Sequence, residues 1–237
     1  MVFTYSDGTK VGEHEKHLRK VGSFLFENPY MVTFVSKEDT VEFLNYETTE
    51  RVFLNEGMIL STCGLLKTNS ARVEIRNRDG DLYRLASNSE FSIEYTVEGI
   101  RPVFYGKVLY ASEDTITYSP EKNRGPIKHD YKRSGGGKYR TSCYMFNFGK
   151  GIVVIDSLGP SEDVYYNLSG PLAVYEYDEM GRQFTIFTAE PFQKIRLRFD
   201  NGKKLRERYQ VLEKSRISNS RLSSLYQHFI FQNSWGS

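Results

Sequence analysis

Four side chains near the start of the sequence, Glu13, His14, Glu15 and His17, place imidazole and carboxylate groups within one helical turn, the donor types that bind zinc and other divalent cations. A zinc-protease helix needs two histidines four residues apart with a glutamate between them, whereas His14-Glu15-Lys16-His17 has a spacing of three and no third anchor. A solvated charged segment is the simpler reading. Cys63 and Cys143 are far apart, and neither has a histidine at the spacing of a known cysteine nucleophile; His129 and Asp130 sit in a polar stretch of their own. Each cysteine has apolar neighbours, which suits a small core thiol, although two is also the smallest number able to form a disulfide. Arg133-Ser134-Gly135-Gly136-Gly137-Lys138-Tyr139-Arg140 combines backbone amides with cations, as a phosphate cradle does, but lacks a Gly-Lys-Ser/Thr run ahead of a helix and reads as a surface loop. Asn167-Leu168-Ser169 fits a glycosylation acceptor, a triplet short enough to recur by chance. No catalytic, cofactor or metal constellation emerges, so the expectation is a protein that is not an enzyme.

The elements around these residues read as β. A chain of 237 residues can bury roughly 70% or more of its unfolded surface without staples. Its 17 Tyr and 16 Phe favour strands, and 39% hydrophobic content is too high for a disordered chain. The formal net charge of +2 supplies no long-range field to draw it onto nucleic acid. The longest apolar runs, such as Gly151-Ile152-Val153-Val154-Ile155, fall far short of the roughly 20 residues of a membrane helix, so no membrane span is expected.

Residues 1–29 form a lead-in segment. Met31–Val35 and Thr40–Leu44 alternate apolar with polar around Ser36-Lys37-Glu38-Asp39, which predicts a hairpin. Arg72-Val73-Glu74-Ile75-Arg76 and Leu82-Tyr83-Arg84-Leu85 flank Asp79-Gly80, a pair that tolerates the positive φ of a tight reversal and predicts a second hairpin. Pro102-Val103-Phe104-Tyr105-Gly106-Lys107-Val108-Leu109-Tyr110 closes this unit, expected to span residues 30–118. Residues 119–141, rich in Pro, Gly and charge, read as a polar loop or linker. A second β unit, 142–202, contains central strands at Ser142–Phe146 and Gly151–Asp156, a hairpin around Gly181, and the Asn201-Gly202 turn. The predicted fold is all-β: hairpin-built antiparallel sheets, sandwich or barrel-like, with a C-terminal helical segment.

The series Ala71-Arg72-Val73-Glu74-Ile75, the Asp-Gly turn, Leu82-Tyr83-Arg84-Leu85 and Asn88-Ser89-Glu90-Phe91-Ser92-Ile93 resembles the FecR domain over about residues 52–110. That resemblance implies an all-β, non-enzymatic module of the cell envelope, used in signalling or as scaffolding, and so a chain acting outside the cytoplasm. MVFTYSDGTK does not read as a secretory signal; the expectation is an extracytoplasmic chain, in the periplasm or at the cell surface, if a signal has been removed, and a cytoplasmic one otherwise.

Residues 203–237 are expected to be a basic, helical tail with an aromatic end, since Leu205, Tyr209, Leu212, Ile217, Leu222, Leu225, Tyr226 and Phe229 recur near helical spacing. Free termini fray, so aromatics at this one imply docking, either on its own domain or on a neighbour. Phe229, Phe231, Trp235, Tyr226, Arg216 and Arg221 are the candidate partner-binding residues. The expected role is a structural or assembly subunit that binds protein partners or its own copies, with binding of cell-wall glycan as the alternative.

Overall fold

The computed structural model describes residues 29–77, 81–96, 99–112, 127–132, 140–147, 151–159, 161–177, 182–200, 202–231 and 235. The Glu13 to His17 cluster, the Asp79-Gly80 turn, Gly181 and residues 133–139 lie outside them.

The described residues are mostly β, arranged in three antiparallel sheets. The first contains β1 (Tyr30–Val35), β4 (Ile59–Leu60), β6 (Val73–Asn77), β7 (Asp81–Leu85), β10 (Lys107–Ser112), β13 (Gly151–Gly159), β14 (Glu162–Ser169), β17 (Gln193–Phe199) and β18 (Tyr209–Arg216), in the order β18-β17-β14-β13-β10-β7-β6-β1-β4. The second runs β3-β2-β5-β8-β9, from β2 (Glu42–Asn45), β3 (Arg51–Phe53), β5 (Gly64–Lys67), β8 (Glu90–Thr96) and β9 (Gly99–Tyr105). The third runs β11-β12-β15-β16, from β11 (Ile127–Lys132), β12 (Arg140–Asn147), β15 (Leu172–Tyr177) and β16 (Gln183–Ala189). Because β9 lies beside β11, the second and third sheets continue one another as one layer facing the first.

The main core fills the space between the layers. Alternation decides who enters it: Val32, Val73, Ile75, Tyr83, Leu85, Val108, Tyr110, Val153, Ile155, Tyr165, Ile195 and Leu197 point inward from the first sheet and meet Phe43, Leu66, Phe91, Ile93, Val174 and Phe187. The opposite face of the first sheet carries a second cluster, Leu82, Leu109, Ala111, Val154, Val164, Tyr166 and Leu168, covered by helix α1 (Asn219–Phe229). Strands of this sheet are thus apolar on both faces, which is why Gly151 to Ile155 reads as a continuous apolar run.

The structure corrects several expectations. The predicted hairpin of Met31–Val35 with Thr40–Leu44 does not form: β1 pairs with β6 and β4, whereas β2 pairs with β3 and β5 in the other layer. Two strands with one apolar face each can satisfy them side by side or face to face across a core. Here Ser36 bonds backbone and hydroxyl to Arg72, turning the chain around the edge so that Val32 and Phe43 meet in the core. The stretch from Pro102 to Tyr110, expected to close the first unit, is broken at Gly106, whose φ of +96° and whose tight contact with Ser89 exclude a side chain; β9 and β10 enter different layers. The expected polar loop contains strand β11. β10 pairs with β13, so the two expected units share one sheet and one core. In the tail, the expected helix begins only at Asn219, because Tyr209–Arg216 is strand β18, paired with β17. The hairpins β6–β7 and β15–β16 form as expected.

Candidate functional site

Helix α1 starts at Ser218, whose hydroxyl accepts a hydrogen bond from the Arg221 amide, and Leu222, Leu225, Tyr226 and Phe229 line the face it turns to the sheet. Its carboxyl end is held from below. The Arg84 guanidinium donates to the Phe229 and Ile230 carbonyls, placing a cation where the helix dipole is negative. Arg84 is in turn fixed by Glu74, which accepts from Arg84 Nε at 2.6 Å, Arg76 Nε at 2.9 Å and the Thr33 hydroxyl at 2.7 Å. Burial pushes the Glu74 carboxyl up, but the bonds from Thr33, Arg84 and Arg76 outweigh it and hold it below the ordinary value.

Trp235 completes this clamp. It stacks on Phe229 at 6.1 Å, meets Phe34 edge-on at 5.8 Å, lies 5.4 Å from the Arg84 guanidinium and 5.6 Å from that of Arg72, and donates its indole N–H to the His228 carbonyl at 2.6 Å. His228 is pushed below the ordinary imidazole value, first by desolvation and then by the positive charges of Lys107, Arg72 and Arg221.

The six residues expected to bind a partner therefore separate. Phe229 and Trp235 are buried in the chain's own second core and leave no surface to offer, which corrects their assignment as contact residues. Tyr226 is half-buried under the helix, with exposed Phe231 resting near its ring. Arg221 lies over the Tyr166 ring at 4.8 Å, donates to its hydroxyl at 3.1 Å and pairs with Asp156 at 3.5 Å. Arg216 is exposed. Arg216 and Arg221 do line one groove of about 310 Å³ with Tyr166, Lys194, Glu213, Ser215, Ile217 and Ser218. Its cations are largely engaged within the chain, Lys194 with Glu213 at 2.7 Å and Arg221 as above, so the groove has little charge left for an anionic partner.

A different surface stands open, at the end of the sandwich where β3 and β4 are the outermost strands of their layers. All three residues of β3 are exposed, and Phe53 is 60% exposed. On the other layer, Ile59 at 61% faces Met31 at 44% across the β1–β4 pair. The segment joining these edges is tied inward, Leu54 to Val41, Gly57 to Val32, and Val32 to Met58, so the exposed side chains stand on a held backbone. Sequence reasoning missed Met31, Val52, Phe53 and Ile59. The available signal was that Arg51-Val52-Phe53 is too short and too flanked by charge, Glu47, Glu50 and Glu56, to be an interior strand.

No family model, curated protein or solved structure matches the chain. Among the described residues, no cluster of His, Cys, Asp and Glu could hold a metal ion, and no helix is long and apolar enough to cross a membrane.

Proposed function

We propose that this protein is a non-catalytic structural or assembly subunit that joins protein partners through the β3–β4 end of the sandwich. One observation carries the reading: an outermost strand, β3, with every residue exposed and a phenylalanine among them, adjoins a second exposed apolar pair on the facing layer. An open edge offers unpaired backbone donors and acceptors, which natural β proteins usually block with charge, proline or a covering segment, and apolar side chains there favour association over solvation. Residues that concentrate binding energy in interfaces include the aromatics. The resemblance of residues 52–110 to FecR domains, modules without enzymatic activity, agrees with it.

The test is the native mass of the protein in an extract of the cells that make it, for the wild type and for Val52→Lys, which sets a charge on the edge. The reading expects a defined complex that Val52→Lys reduces toward the monomer mass of 27.5 kDa. A monomer retained on cell-wall glycan would overturn it in favour of a glycan-binding module.

A further inference from the structure

We propose that the partner taken up by β3 is a second copy of this chain, paired antiparallel about a two-fold axis at Val52; this rests on the assembly reading above and names its occupant.

Asn45 N–H donates to the Glu50 carbonyl at 2.9 Å, Leu54 N–H donates to the Val41 carbonyl at 2.8 Å, and between them Val52 stands opposite Phe43. In an antiparallel ladder hydrogen-bonded and non-bonded pairs alternate, so Glu50, Val52 and Leu54 turn their N–H and C=O groups toward β2. Arg51 and Phe53 turn theirs to the open edge. Two outward-facing residues separated by one inward-facing residue make a self-complementary edge. Placing Val52 opposite Val52 of the second copy sets each Arg51 opposite the other copy's Phe53, and both pairs are of the hydrogen-bonded kind. Four backbone bonds form, using every outward group of the strand in both copies.

The side chains fit the same register. Phe43, opposite Val52, is buried in the core, so Val52 lies on the inner face and the two valines meet at the rim of the two cores. Arg51 and Phe53 lie on the other face, with Glu42 opposite Phe53 and bonded to Arg51 at 3.3 Å. Across the join the order becomes Glu42, Phe53, then Arg51 of the second copy: the cation lies against an aromatic ring with a carboxylate beyond it. The same register sets Glu50 opposite Leu54 and Thr48 opposite Glu56, so no like charges face each other. A shift by one residue would bring the inward-bonded groups of Val52 to the join and lose these pairings.

Sedimentation velocity of the purified full chain over a range of concentrations tests the proposal, with Phe53→Pro and a pair of cysteine variants. Phe53→Pro removes an outward N–H while leaving the ladder to β2 intact, and proline is tolerated on edge strands; dimerisation should weaken at least tenfold while the circular dichroism and melting temperature of the monomer stay near those of wild type. Val52→Cys puts two thiols at a non-hydrogen-bonded pair, whose Cα separation of about 4.5 Å suits a disulfide. Mild oxidation should cross-link that variant, and neither wild type nor Phe53→Cys to the same extent. A wild-type chain that stays monomeric at all concentrations overturns the second copy as partner; if the cellular complex is still broken by Val52→Lys, the assembly reading survives with a different protein on the edge. A dimer indifferent to Phe53→Pro, or one in which Val52→Cys does not cross-link, overturns β3 as the contact.

Discussion

Phe229 and Trp235 lie on a sheet, between Phe34, Arg72, Arg84 and each other, whereas at Arg51 to Phe53 the chain leaves an aromatic ring in water on the outer edge of a strand paired only on its β2 side among the described residues. What separates the two segments is the surface each can reach. The first sheet has an apolar outer face that the returning tail covers among the described residues, so Phe229 and Trp235 are consumed in folding. The edge at β3 has no later element among the described residues to cover it. Aromatic content alone therefore does not distinguish a core-docked side chain from an exposed one; the surface the fold brings to it does.

The strongest way to break this contrast is at Phe229, fully buried and stacked on Trp235. Phe229→Ala should cost about 3–5 kcal/mol of unfolding free energy by loss of transfer and cavity terms, measured by urea denaturation. If the tail were instead an exposed contact, the variant would unfold like the wild type and fail only to associate. Deleting residues 229–237 should accordingly yield an unfolded or strongly destabilised chain rather than a folded one that has lost assembly.

Glu74 sharpens the account of how the tail is held. Glu74→Gln should cost about 1–3 kcal/mol near neutral pH, because Arg84 and Arg76 lose a charged acceptor in a mostly buried place. The folded carboxyl lies below its ordinary value, so its contribution is complete above that value and is lost as pH falls through the folded one. Wild-type stability should therefore drop in the acid range more than that of Glu74→Gln. Glu38, Glu162 and Glu213 are also held low by their partners, but they are solvent-screened and should add little to that slope.

His228 gives a smaller effect in another pH window. Its folded value is depressed, so the unfolded chain takes up the proton first, and stability is complete above the ordinary value and declines as pH falls below it. His228→Gln should flatten the pH dependence of the melting temperature just below neutrality; an unchanged slope would show that the imidazole is solvated and the helix end looser than described.

The sequence carried the fold class because period-two alternation and Gly-bearing turns are local, and the hairpins β6–β7 and β15–β16 follow from them. It misled at β1 and β2 because an apolar face does not say which layer it belongs to, and only the Ser36–Arg72 bonds turn the corner. It misled at β18 because Tyr209 and Leu212 happen to fall at helical spacing, while the cross-strand pairing with β17 decides. The end of the chain is docked, as its aromatics implied, but the expected partner contact through Phe229 and Trp235 gives way to burial in the chain's own second core, a choice that depends on which apolar face the fold leaves uncovered. The short, charge-flanked Arg51-Val52-Phe53 hinted at an edge, but which end of which layer it occupies was not legible, because strand order is a property of the whole topology.

The smallest expected effect is the one that most directly separates the two segments. Phe53 is more than half exposed, so truncating it removes little buried surface, and Phe53→Ala should change the unfolding free energy of the monomer by no more than about 0.5 kcal/mol. The same chemical change at Phe229 is expected to cost several times that, so the pair forms an internal control in which side chain and substitution are constant and only the surroundings differ. Both should be measured at protein concentrations too low for association, since any dimer would stabilise the wild type by mass action and make Phe53 look structural. Equal losses at the two positions would mean that Phe53 is covered by the chain itself, and β3 would then cease to be an open edge.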